Sequence, residues 1–101
     1  MELVDIPPGA DLEVVAVRVK GDSMYPAYRD NDILYYSAHA PDEAGFLNKE
    51  CVVALLDGRK FVKVVERGSA SGTYNLASHN APTILDQQIE CAAPVEWVKR
   101  G

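Results

Sequence analysis

The residues with the most chemical potential lie in VKGDSMYPAYRDNDILYY, Val19 to Tyr36. Ser23 stands there behind Gly21 and Asp22 and ahead of Met24 and Pro26. A serine hydroxyl is a weak nucleophile until a neighbouring base takes its proton. Gly21 suits a backbone that must bend sharply or admit another chain. Pro26 fixes its own φ and ends the strand potential of the segment. The segment therefore places a hydroxyl on the rim that follows a strand end. The plain alternative is a turn in which the Asp and Ser side chains bond nearby backbone N–H groups. Taken alone, the segment is compatible with both.

A nucleophile needs a base. The two histidines, His39 beside Pro41 and His79 in Ala-Ser-His-Asn-Ala-Pro, read as solvated loop residues. Lys60 and Lys63 follow the Asp57-Gly58 turn. Their odd separation places them on opposite faces of a strand. Lys63 is set among Val62, Val64 and Val65. An apolar pocket strips water from an ammonium group and lowers its pKa, so a neutral amine becomes available to accept a proton. In the alternative reading the Lys63 stem packs while its head reaches water.

The elements that must position these residues are short strands. Leu12–Val19 alternates and is rich in β-branched residues, which predicts a strand. Asp30-Asn31-Asp32 signals a turn into a strand over Ile33–Tyr36. Cys51–Leu56 and Lys60–Val65 flank Asp57-Gly58 as a hairpin. Tyr74–Ala77, Ile89–Ala92 and Val95–Val98 are further strands. Met24–Arg29 and Ala40–Phe46 offer room for a single helical turn each. The pattern predicts an all-β (mostly β) domain of short, bent strands with little helix. Met1–Asp11 reads as an extended lead-in or linker remnant, with the domain over 12–101.

Composition narrows the classes. The chain has 101 residues, 48% hydrophobic and 25% charged, with a net charge of -5. That is one ordinary globular domain. Such acidity disfavours direct binding to nucleic acid, which needs clustered Lys and Arg. Tyr25, Tyr28, Tyr35 and Tyr36 accordingly read as core and rim residues rather than base-stacking platforms. The N-terminus MELVDIPPGA lacks the basic and then apolar order of a signal, and no membrane span is expected. Cys51 and Cys91 make no CxxC pair and read as buried, reduced thiols of a cytoplasmic protein. Asp30 and Asp32 read as turn residues rather than metal ligands.

Gly21-Asp22-Ser23-Met24-Tyr25-Pro26, then Asp30-Asn31-Asp32-Ile33, then Phe61-Val62-Lys63-Val64-Val65 resembles the LexA-like serine peptidase domain. That domain is the C-terminal half of LexA, of UmuD-type proteins and of many phage repressors. The resemblance covers about Glu13 to Arg100, with the lysine 40 residues after the serine. It implies a Ser–Lys dyad, one of the convergent variants of the serine triad, with Ser23 as nucleophile and Lys63 as general base. The backbone N–H groups of Asp22 and Ser23 would be the oxyanion donors. It implies no cofactor and no metal. Family domains cut their own chain at a small-residue bond upstream of the serine. In the DNA-damage (SOS) response a RecA filament promotes that cut, and repression is lost. The resemblance also implies a homodimer. Val95 and Trp97, on one side of the last strand and opposite Glu96, are the expected contact residues.

The chain departs from the family at several points. Only 22 residues precede Ser23, without a helix-turn-helix domain or an upstream Ala-Gly. An excised or naturally cleaved C-terminal domain is therefore expected, touching DNA only through an N-terminal domain that is absent here. Ala44-Gly45 lies between the dyad residues and reads as a loop feature. Asn31 replaces the glycine common in the Asp-Gly-Asp turn and tolerates positive φ. Two other readings remain: a dimerisation module with a silent dyad, and a signal-peptidase-like enzyme, which shares the Ser-Met-x-Pro turn and a downstream lysine.

Overall fold

The computed structural model describes residues 2–4 and 13–101, with the side chains of residues 2 and 4 left out. Among the described residues the strands are β1 (Glu2–Val4), β2 (Val14–Arg18), β3 (Ile33–Ser37), β4 (Glu50–Leu55), β5 (Lys60–Arg67), β6 (Tyr74–Ala77), β7 (Ile84–Gln87), β8 (Ile89–Pro94) and β9 (Trp97–Lys99). One short helix, α1, spans Glu43–Phe46. A four-stranded sheet has the order β1-β2-β3-β9, and a five-stranded sheet the order β7-β6-β5-β4-β8. All pairings are antiparallel. The fold is all-β, as the sequence predicts.

The apolar run of β4 follows from burial on both faces of the larger sheet. Val52, with Val62 of β5 and Ala93 of β8, joins a core shared with Val17, Leu34 and Tyr36 of the smaller sheet. Cys51, Val53 and Leu55 face the other way, with Val65, Leu76, Ala92 and Phe46 of α1. Alternation sends successive residues to opposite faces, so a strand covered on both sides carries apolar residues at both parities. The Asp57-Gly58 hairpin forms as expected, with Gly58 at φ 92° and the Asp57 carboxylate accepting from the Arg59 N–H at 3.0 Å.

Several expectations need correction. The strand expected over Val95–Val98 begins at Trp97, because the chain passes from the larger sheet to the smaller one after Pro94. The crossing resets the alternation. Val95 and Val98 pack against the core, while Trp97 is 71% exposed, so Val95 and Trp97 do not share a side. Trp97 therefore does not close the core. β7 was not expected: Pro82 precedes it and Asp86 sits at φ 53° within it, which leaves only Ile84 and Leu85 to signal a strand. Ala44-Gly45 lies within α1 and not in a loop. Cys91 is exposed, whereas Cys51 is buried. The start of the first expected strand at Leu12, the linker reading of residues 5–11 and the boundary at 12 lie outside the described residues.

Candidate active site

The Ser23 turn is an excursion between β2 and β3. Val19 N–H donates to the Asp32 carbonyl at 2.8 Å and Asn31 N–H returns to the Val19 carbonyl at 2.9 Å, which closes its neck. Gly21 takes a φ of 87°, a conformation with little cost only for a residue without Cβ. Its N–H donates to Asp30 Oδ1 at 2.8 Å. Asn31 also takes positive φ, 74°, so the asparagine carries the turn. Met24 is 1% exposed and Tyr28 is 8% exposed, and both belong to the first core. One helix-like bond, from Tyr28 N–H to the Met24 carbonyl at 3.0 Å, spans the segment. The buried Met24 thus anchors the turn, and the half-buried Ser23 stands on its rim.

Lys63 reaches this rim from β5. Its Nζ lies 3.0 Å from Ser23 Oγ and 2.5 Å from Ser78 Oγ. It also lies 5.8 Å from the centre of the Phe61 ring. Lys63 is 5% exposed. Burial lowers its pKa from the ordinary lysine value, because an ammonium loses hydration there. The cleft around the pair is lined by Val19, Lys20, Ser23, Lys60, Phe61, Val62 and Lys63. Lys60 thus reaches the same cleft, although it has the opposite parity on β5.

The loop after β6 supplies what the sequence reading missed. In the β5–β6 register Val64 pairs with Ala77. The next antiparallel position sets Ser78 opposite Lys63, where β6 has left the sheet. Asn80 N–H donates to the Ser23 carbonyl at 2.8 Å, and Asn80 Nδ2 donates to the Asp22 carbonyl at 3.1 Å. The Asp22 carbonyl also accepts from Tyr25 N–H at 3.0 Å. A trans peptide sets its N–H opposite its C=O, so these bonds fix the direction of the Ser23 N–H. The only signal in the sequence is Ser-His-Asn directly after a strand paired with the lysine strand. It becomes visible once the register is known.

The histidines make their contacts with carboxylates. His39 Nε2 lies 3.5 Å from Glu13 Oε1 at the surface. His79 Nε2 lies 3.8 Å from Glu50 Oε2. That oxygen is buried and has no hydrogen-bond partner among the described residues. Both aspartates of the Asp30-Asn31-Asp32 turn are engaged by backbone donors. Asp32, 2% exposed, accepts from the N–H groups of Arg29 at 2.9 Å and Gly101 at 3.1 Å, and from Arg100 Nη1 at 2.6 Å. Burial pushes the Cys51 thiol up to about 11, and it donates to the carbonyls of Phe46 and Lys49.

The structure thus places a buried lysine amine beside a serine hydroxyl on an anchored turn, in an all-β domain. Residues 4–100 match the Peptidase S24-like family, and the chain belongs to that family, which comprises the C-terminal domains of LexA, UmuD-type and phage repressor proteins. No curated protein and no solved structure matches the chain. No described helix is long and apolar enough to cross a membrane.

Proposed function

We propose that this domain is the self-cleaving, dimerising C-terminal half of a LexA-like or phage-type repressor. Ser23 is the nucleophile and Lys63 the general base. The 3.0 Å approach of the Lys63 amine to Ser23 Oγ carries this reading. The neutral amine takes the hydroxyl proton as Oγ attacks the scissile carbonyl carbon. The N–H groups of Ser23 and Asp22 hold the oxyanion that forms. The Lys63 ammonium then protonates the departing amine, and water releases the acyl group from Ser23 with Lys63 again as base. The substrate bond lies in a segment upstream of the serine. Its cutting, promoted by a RecA filament, would separate the DNA-binding half from this one.

The test is a polypeptide that joins this domain to the segment encoded upstream of it, incubated at mildly alkaline pH. Two fragments should accumulate by a first-order process independent of protein concentration. Ser23→Ala and Lys63→Ala should each leave the chain uncut while preserving its circular dichroism. Cleavage that persists in either variant would overturn the dyad. An uncut wild-type chain, with and without a RecA filament, would leave the silent dimerisation module as the function.

A further inference from the structure

The proposed dyad leaves one contact unused, the 2.5 Å hydrogen bond between Lys63 Nζ and Ser78 Oγ. We infer that Ser78 is a positioning residue, whose hydroxyl oxygen accepts an N–H of the Lys63 amine and so aims the amine's lone pair at Ser23. This rests on the Ser–Lys reading and adds a third residue to it.

A neutral amine has one lone pair and two N–H bonds, and it rotates freely about Cε–Nζ. Only the rotamer with the lone pair toward the Ser23 hydroxyl can take its proton. Val62 and Val64 flank Lys63 along the strand, and the Phe61 ring lies beside its head. None of these is a strong acceptor. Ser78, from the loop after β6, is the second oxygen beside Nζ, and an N–H held by it leaves the lone pair for Ser23. When Lys63 carries the transferred proton, Ser78 and Ser23 both accept from the ammonium. Ser78 is itself held. Its strand ends at Ala77 in register with Val64, and two residues later Asn80 is bonded to the nucleophile turn by backbone and side chain. Lys20 and Lys60 line the same cleft, Asp22 precedes Ser23 in the chain, and the loop that carries Ser78 sets His79 3.8 Å from Glu50 of β4.

Loss of the Ser78 hydroxyl should act in opposite senses on the amount of free amine and on its rate of reaction, which makes the role testable. A hydrogen bond to the ammonium favours the charged form. Removing the Ser78 hydroxyl should therefore lower the Lys63 pKa and increase the fraction of free amine near neutral pH. A residue that only tuned the pKa would then give faster chemistry when removed. A residue that aims the lone pair would give slower chemistry.

The experiment compares wild type, Ser78→Ala and Ser78→Thr in two measurements on the chain itself. One is the Lys63 titration, followed by ¹³Cε NMR, which needs no activity. The other is the rate of covalent labelling of Ser23 by a fluorophosphonate, followed by mass spectrometry across pH. We expect Ser78→Ala to lower the Lys63 midpoint and to slow the limiting labelling rate at high pH by about tenfold, less than the roughly 10²–10⁴-fold supplied by a whole general base. Ser78→Thr, which keeps a hydroxyl, should restore both. An unchanged Lys63 midpoint in a folded Ser78→Ala protein would overturn the contact. A lowered midpoint with labelling as fast as wild type would overturn the positioning role. Wild type that labels no faster than Ser23→Ala, with the midpoint still moving, would overturn the dyad reading instead, and the positioning role with it.

Discussion

Lys63 is a buried amine whose charged form costs stability. Its folded-state pKa lies below the ordinary lysine value because burial penalises the ammonium. In the proposed dyad the neutral amine is the base, so the cleavage rate should rise with pH through the folded-state pKa of Lys63 and level off above it. A flat rate from neutral to alkaline pH, with the fold intact, would count against Lys63. The same shift has a stability sign. Between the folded pKa and the ordinary value near 10.5, the unfolded chain binds a proton that the folded chain does not. Stability therefore rises with pH across that window. Below it, the folded state holds a desolvated ammonium. Lys63→Met keeps the stem and removes the charge, so it should melt a few degrees above wild type at neutral pH while abolishing cleavage. The gap should shrink as pH approaches the ordinary lysine value. A methionine variant that melts below wild type at neutral pH would refute this account.

At the scale of elements, the site depends on two clasps. The loop after β6 binds the Ser23 turn through Asn80. The Asp32 carboxylate binds the turn before β3 to the segment after β9, through Arg100 and Gly101. Burial alone would raise the Asp32 pKa. The N–H of Arg29, the Arg100 guanidinium and the N–H of Gly101 outweigh it and hold the carboxyl below its ordinary value. Asp32→Ala would leave those donors without their acceptor, and should destabilise the domain by about 1–3 kcal/mol in urea unfolding at neutral pH. A folded pKa that lies low gives stability that is complete above the ordinary carboxylate range and is lost as pH falls through the folded value. The difference between wild type and Asp32→Ala should therefore narrow in acid. An equal difference at neutral and strongly acidic pH would show that the carboxylate charge is not what matters.

At the scale of the molecule, the outward face of the smaller sheet carries an unusual aromatic. Trp97 is 71% exposed, and its ring meets Tyr35 edge to face at 5.8 Å. β9 is also one of the two edge strands of that sheet among the described residues, and an exposed edge with an aromatic beside it is a surface that pairing would cover. We expect a homodimer that uses this edge, with Trp97 as its anchor. Val95, which packs against the core instead, would contribute through the strand it leads into. Sedimentation at micromolar concentration should show the dimer. Trp97→Ala should weaken it by about 2 kcal/mol or more, the usual cost of truncating a buried aromatic anchor, and by more than Glu96→Ala. A monomer throughout the accessible range would sink the claim.

Much of this was already present in the order of residue types. The alternation of β2, β3 and β5, the Asp57-Gly58 turn, and a serine and a lysine in a recognisable pattern are local properties, set by side-chain period and by turn chemistry, and a sequence displays them directly. That Ser23 and Lys63 meet is not local. It follows from β5 lying beside the turn between β2 and β3, which depends on how two sheets pack. Ser78 was invisible for the same reason: its position opposite Lys63 exists only once β5 and β6 are in register. The Val95–Trp97 parity failed because the chain changes sheets after Pro94, and alternation holds only within one strand. Burial was decided at the same level. Cys51 and Cys91 both stand in apolar runs, yet only the packing of α1 and the neighbouring strands against one face of the larger sheet covers the first and leaves the second in solvent.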